Sequence, residues 1–241
     1  EYNIWRAPTD NDRNIRHQWE EAGYDRTLSR CYSAKVEMDG GKAVLKCAVS
    51  LSAIYIQKLV EMDVCFTVCP AGGVKADIQG KFGFGGLPHL PRFGLRLFLD
   101  KGMENVDYFG YGPYESYADK HRASRLGRFA AKAEALHEDY LRPQENGSHW
   151  DCSEVTVAGK DLALTVRGDS FSFNASPYTQ EELTAKRHNF ELEKSGYTVL
   201  CLDGVMGGIG SNSCGPELLE QYRVKDDSQL QIHLRLIPTV R

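Results

Sequence analysis

Apolar and polar residues alternate along most of the chain. In residues 43–51, Leu45, Cys47, Val49 and Leu51 fall on one side and Lys46, Ala48 and Ser50 on the other. Val60, Met62, Val64, Phe66 and Val68 alternate with Glu61, Asp63, Cys65 and Thr67, and Val74, Ala76 and Ile78 with Lys75, Asp77 and Gln79. The pattern returns at Leu95, Leu97 and Leu99, at Leu162, Leu164 and Val166, and at Leu230, Ile232, Leu234 and Leu236. A period of two predicts strands with one buried face. Asp39-Gly40-Gly41-Lys42, Ala71-Gly72-Gly73 and Ala158-Gly159-Lys160-Asp161 lie between such runs. Glycine supplies the positive φ of tight hairpins, so the neighbouring strands pair antiparallel. Helical signals are few. Thr179-Gln180-Glu181-Glu182 reads as a capping box opening a short helix to Lys186, and residues 16–23 read as a second helix ending at Gly23. The fold class expected is all-β: a large antiparallel sandwich in one domain over residues 1–241.

The 241 residues are 41% hydrophobic and 26% charged, the composition of a globular protein. A chain of this length buries roughly 70–75% of its unfolded surface and needs no disulfide or metal staple. A net charge of -4 argues against nucleic acid and anionic membrane as partners, and no apolar run has bilayer length. The chain opens on Glu1 with no signal-peptide pattern, and a dense motif follows at once; a piece of a longer chain is expected. The seven cysteines, Cys31, Cys47, Cys65, Cys69, Cys152, Cys201 and Cys214, form no C-x-x-C pair. Cys65 and Cys69 are expected on one face of a strand, without the further ligands a zinc site requires. Free thiols point to a reducing, cytoplasmic compartment.

Five stretches interrupt the alternation and are rich in Gly, Pro, Asn and aromatic residues: 5–12, 90–94, 108–117, 142–149 and 207–216. They read as loops. Sugar sites use this mix of flat rings and fixed amides and carboxylates, but the same residues also simply tie off a sandwich. Arg6, Asp10 and Asp12 fit local turn-capping and ion pairing, or contact with a sugar or neighbouring domain. Glu145, Asn146 and His149 fit a hydrogen-bonded turn around Asn146-Gly147, or the lining of a cup. His121 and His137 read as surface residues and Trp150 as core or interface.

The strings themselves are more specific. Trp5-Arg6-Ala7-Pro8-Thr9-Asp10-Asn11-Asp12, Gly110-Tyr111-Gly112-Pro113-Tyr114-Glu115-Ser116-Tyr117-Ala118-Asp119 and Arg142-Pro143-Gln144-Glu145-Asn146-Gly147 occur in this order. Phe171-Ser172-Phe173-Asn174-Ala175-Ser176-Pro177-Tyr178 and Asp203-Gly204-Val205-Met206-Gly207-Gly208-Ile209-Gly210 follow. From Trp5 to the last strand the chain resembles the C-terminal small-chain domain (domain 5) of LacZ-type β-galactosidases of glycoside hydrolase family 2.

The resemblance implies a β-supersandwich of the galactose-mutarotase-like type, lacking the family domain's first strands. It implies no catalytic residue and no cofactor in this chain. A retaining glycosidase needs two carboxylates about 5–5.5 Å apart; in the family both are glutamates on a separate barrel of about 250 residues, which also holds Mg2+. The domain's expected part is to close the pocket around a β-galactoside and to assemble with the parent's other domains in an oligomer. The substrate-side residues implied are Ser211, Asn212, Ser213 and Cys214, with Glu145, Asn146 and His149. Cys214 stands where family members place a tryptophan, and a thiol offers no comparable flat face. Two other classes remain open: a free-standing carbohydrate-binding module, and an aldose 1-epimerase using His149 with Glu145 or Glu217.

Overall fold

A computed structural model describes residues 1–70, 72–210 and 217–241. Its strands are β1 (Tyr2–Asn3), β2 (Leu28–Asp39), β3 (Lys42–Ser52), β4 (Val60–Val68), β5 (Val74–Phe82), β6 (Arg92–Asp100), β7 (Asn105–Gly112), β8 (Arg125–Lys132), β9 (Ser148–Ala158), β10 (Leu162–Ser176), β11 (Tyr197–Met206) and β12 (Leu230–Val240). All pairings are antiparallel, as the short glycine turns require. Gly40 and Gly41, with φ of 54° and 81°, make the two-residue β2–β3 turn that only residues tolerant of positive φ form readily. The fold class expected from the alternation is the one observed.

The strands join in one branched sheet around β10. Residues 162–167 of β10 pair with β12, residues 172–176 with β11, and its opposite edge with β9. One arm runs β12–β5–β4–β3–β2 and the other β11–β6–β1, while β9 continues through β7 to β8. The arms close on a common core. The Phe93 ring of β6 lies so near Gly80 of β5 that a Cβ there would meet it at 2.8 Å. Val64, Ile78, Ile232, Phe93, Leu200 and Phe173 are buried in one cluster.

Burial follows the alternation near the middle of the arms and fails toward their ends. Val60, Met62 and Val64 are buried, but Val68 is 50% exposed and Leu162 46%. Ser50, on the side expected to be wet, is buried. Residues 92–94 and 108–112, expected as loop, are strand. Cys69 follows β4 instead of sharing its face with Cys65, and its backbone closes the turn through bonds with Gly72 and Gly73.

Both helices form. Helix α1 (Ile15–Ala22) ends at Gly23, left-handed at φ 81°. Helix α2 (Gln180–Ala185) begins at Thr179, whose side chain accepts from the Glu182 N–H. The return half of the expected capping box is absent, because the Glu182 carboxylate accepts from the Glu193 N–H instead. Among the described residues no helix is long and apolar enough to cross a membrane.

Candidate functional site

Four of the five interrupted stretches meet through buried polar contacts, along with the described part of the fifth. Arg6 is the first anchor. Its guanidinium grips Asp12 with two bonds of 3.1 and 2.7 Å and donates to the carbonyls of Gly207 and Gly208 at 3.1 and 3.0 Å. Asp12 accepts in turn from the Thr9 N–H, closing the short 3-10 turn Asp10–Asp12. Trp19 of α1 lies beneath the guanidinium, 5.3 Å from it. Planar, forked and permanently charged, arginine suits this position where lysine would leave donors missing.

The stretch after β11 is clamped from several sides. Gly207 N–H donates to Pro91 and Gly208 N–H to Tyr222. The N–H groups of Ile209 and Gly210 donate to the Asp119 carboxylate at 3.1 and 2.8 Å. The Asn11 amide donates to the carbonyls of both residues. Gly210 needs its missing side chain, since its φ is 79°. Gly208 needs it because a Cβ would stand 2.7 Å from the Asp119 carboxyl carbon.

A second anchor lies deeper. Arg92, wholly buried, has Nη2 3.0 Å from Glu145 Oε1 and 3.2 Å from Asp203 Oδ2. Two carboxylates thus face one cation. Burial pushes the Asp203 carboxyl up to about 7; the Arg92 charge opposes the rise and the Glu145 charge adds to it. Burial likewise raises Glu145, against the pull of Arg92 and Arg6.

The sequence candidates fall in two groups. Ser211, Asn212, Ser213 and Cys214 lie outside the described residues. Glu145, Asn146 and His149 are all buried; their polar atoms bond internally except His149 Nε2, which has no partner among the described residues. Glu145 holds Arg92. Asn146 accepts from the Glu138 N–H at 3.0 Å and donates to the Gln144 carbonyl at 2.9 Å. His149 has Nδ1 3.1 Å from the Tyr111 carbonyl, and its ring packs against Tyr108 and Phe173, which also touch each other. Burial pushes the His149 imidazole down to about 4. The pairing of His149 with Glu217 is not assembled, since Glu217 is exposed on Arg223. Asp12 caps and pairs locally, whereas the Asp10 carboxylate accepts from the Gln144 amide at 3.3 Å and faces Arg142. His121, expected at the surface, is half-buried and stacks on Trp150 at 4.5 Å; His137 is half-buried against Tyr178.

A cleft of about 460 Å3 opens beside the clamped stretch. It is edged by residues 10–15, 18, 86–89, 209–210, 217–218, 223 and 225–226, and it is large enough for a sugar ring. Glu145, Asn146 and His149 do not line it. Its acidic groups are dispersed: Asp12 is held by Arg6, Glu217 by Arg223, and Asp10 lies 3.8 Å from Arg142. Sequence reasoning overlooked Asp119 and Asp203. The signal for Asp203 was an acid directly after the apolar run Val199-Leu200-Cys201-Leu202.

Fold and site together define an all-antiparallel β domain with cross-braced loops and a polar cleft at their junction. The chain belongs to the β-galactosidase small chain family, whose model matches residues 1–236. It is 44% identical over 98% of its length to a β-galactosidase of Actinobacillus pleuropneumoniae and 36% identical over 93% to one of Staphylococcus xylosus. A β-galactosidase of Kluyveromyces lactis is 31% identical over 92% of the chain. The chain spans about 23%, 22% and 22% of those relatives' lengths.

Proposed function

We propose that this chain is the pocket-closing domain of a glycoside hydrolase family 2 enzyme that hydrolyses terminal β-D-galactosides, and that it performs no bond cleavage itself. The carrying observation is the bracing of Gly207–Gly210 by Arg6, Asn11 and Asp119 at the edge of the cleft. In this reading the brace fixes the rim of the cleft that faces the sugar; the substrate-side residues expected at 211–214 lie outside the described residues. Glu145 and Asp203, the two carboxylates that share one deeply buried cation among the described residues, sit on Arg92, out of reach of a glycosidic bond. Acid/base, nucleophile and Mg2+ are assigned to the parent's barrel. No three His, Cys, Asp or Glu side chains converge as a metal site among the described residues.

Assembly with the rest of a cytoplasmic, oligomeric parent is supported by an open place in the fold. Strand β1 pairs only with residues 94 and 95 of β6, and the chain adds one bonded pair between Glu1 and Arg96. Among the described residues the outer edge of β6 beyond Arg96 has no strand beside it. Val36 and Met38 of β2 are 67% and 72% exposed. Further strands from the parent would pair with the first and cover the second.

Hydrolysis of a chromogenic β-galactoside by the purified chain, free of host enzyme, is the test. No turnover is expected, and robust turnover overturns the reading. Titration with galactose separates it from a carbohydrate-binding module, because a module alone saturates in the micromolar range.

A further inference from the structure

A trench runs along β3 on the face of the sheet turned away from the core. Val49 and Met62 are buried on the core side, so their neighbours Ala48, Ser50, Glu61 and Asp63 point the other way. In register, Ser50 lies beside Glu61 and Ala48 beside Asp63, with Lys81 and Gln79 of β5 next in line. Short side chains on β3 between longer ones on its neighbours leave a hollow of about 480 Å3. A second hollow of about 420 Å3 joins it, sharing Ala48, Asp63 and Gln79. Val36 and Met38, which the parent's strands would cover, pair with Leu45 and Ala43 and lie on the opposite face.

A bulge builds one wall. Cys31 stands opposite Val49 and Ser33 opposite Ala48, so one extra residue, Tyr32, is inserted between them. Tyr32 and Ser33 then both present their side chains to the trench, one at each hollow. The Lys58 ammonium lies 4.5 Å and the Arg30 guanidinium 5.0 Å from the centre of the Tyr32 ring, which holds the ring in place.

The groups left open decide the ligand. Lys58 and Lys81 are both spent on Glu61, at 2.8 and 3.3 Å, and Lys35 and Lys46 on Glu37, at 2.7 and 3.0 Å. Asp63 and Gln79 stand side by side and exposed, and among the described residues no ion pair or side-chain hydrogen bond engages either. The Ser50 hydroxyl, on the floor and 1% exposed, also has no partner there. The trench therefore offers a carboxylate that accepts, an amide that donates and accepts, and a hydroxyl that does both. An anion would meet the Asp63 charge, and an apolar ligand would leave all three groups unpaired. Neighbouring hydroxyls on a rigid ring satisfy them.

We propose that this trench is a second carbohydrate site, separate from the cleft at Gly207–Gly210, and that it takes a neutral disaccharide. One ring lies in the hollow of Tyr32 and Ser50 and the other in the hollow of Ser33, while Asp63 and Gln79 bond to hydroxyls where the two meet. The trench is open to solvent, so binding is millimolar rather than tight. The site does not depend on the pocket-closing role.

The test titrates lactose to ~100 mM into the whole purified, isotope-labelled chain and follows its assigned backbone amide shifts. Saturable shifts centred on Ala48, Ser50, Asp63 and Gln79 are expected. Joint Asp63→Ala and Gln79→Ala substitution, at two exposed positions, should weaken this binding about tenfold or more without moving the unfolding midpoint, and Tyr32→Ala should weaken it independently. Glycerol is the control for any polyol and sulfate for an anion. The absence of saturable shifts in the trench, equal shifts with glycerol or sulfate, or unchanged lactose binding in both variants overturns the proposal.

Discussion

Arg92 Nη2 lies 3.0 Å from Glu145 Oε1, joining β6 to a segment 53 residues away, and Asp203 Oδ2 stands 3.2 Å from the same nitrogen. The three side chains are 0–3% exposed. Their value is asymmetric: the pair is costly to desolvate, yet removing one partner strands the others. Arg92→Ala leaves two acids facing each other in the interior. A loss of about 3–5 kcal/mol is expected, read from urea unfolding. Adding Glu145→Gln and Asp203→Asn to Arg92→Met should recover much of it, since no buried charge then lacks a partner. Equal instability of the single and triple variants would show that the charges are not the cause.

His149 makes stability depend on pH. Its imidazole is held from 6.5 down to about 4, chiefly by burial. Between those values the unfolded chain binds a proton that the folded chain refuses, so stability rises with pH across the window. His149 contributes fully above pH 6.5, and the contribution is lost as pH falls toward 4. Its full size is on the order of 3 kcal/mol. Asp203 acts oppositely: its raised carboxyl holds a proton in the folded state between the ordinary value 3.8 and about 7, so stability falls as pH rises there. His149→Phe should therefore remove an upward slope between pH 4 and 6.5, and Asp203→Asn a downward one between pH 4 and 7. Parallel stability–pH curves for either variant and the unaltered chain would sink that assignment.

How far the sequence reached differs between fold and site. Alternation such as Val60-Glu61-Met62-Asp63-Val64 is a direct imprint of the pleat, so strand identity, pairing sense and fold class were legible. The branching at β10 was not, because which edge meets which is decided by packing far along the chain. At the site, motif composition marked the right segments but left the side chains' roles open. Glu145 and His149 fitted a hydrogen-bonded turn or the lining of a cup, and only the fold places Arg92 against one and Tyr108 and Phe173 around the other. Short-range pairing was easier: Arg6 and Asp12 lie six residues apart, and their local pairing could be foreseen.

Gly23 ends α1 under two separate constraints. Its φ is 81°, and a Cβ there would stand 2.6 Å from the Ala53 Cβ. Gly23→Ala adds backbone strain of about 1–3 kcal/mol and forces the loop after β3 away from the helix. Gly40→Ala is the control, because its φ is also positive but nothing lies within 4 Å of its Cβ. Gly23→Ala should unfold at clearly lower urea concentration than Gly40→Ala. Matching midpoints would mean that the close approach to Ala53 carries no cost.

Asp119 offers the most direct handle on the cleft. Its two oxygens accept from the Ile209 and Gly210 N–H groups at 3.1 and 2.8 Å, yet Asp119 itself does not line the cleft. Removing it frees two backbone donors at the rim while leaving Arg6, Asp12 and the Arg92 cluster in place. Hydrogen bonds to a charged acceptor are worth about 1.5–3 kcal/mol; if half of one bond's worth orders the rim for sugar, KM rises roughly three- to tenfold. In the parent enzyme, Asp119→Ala is expected to raise KM for a β-galactoside by that amount, with kcat changed less because the bond-breaking groups lie elsewhere. Asp119→Asn should fall between, as one amide oxygen keeps one of the two bonds. Wild-type KM in an Asp119→Ala parent whose circular dichroism and unfolding midpoint are unaltered would separate the braced stretch from the sugar pocket, and the proposed role of this domain in closing that pocket would fail with it.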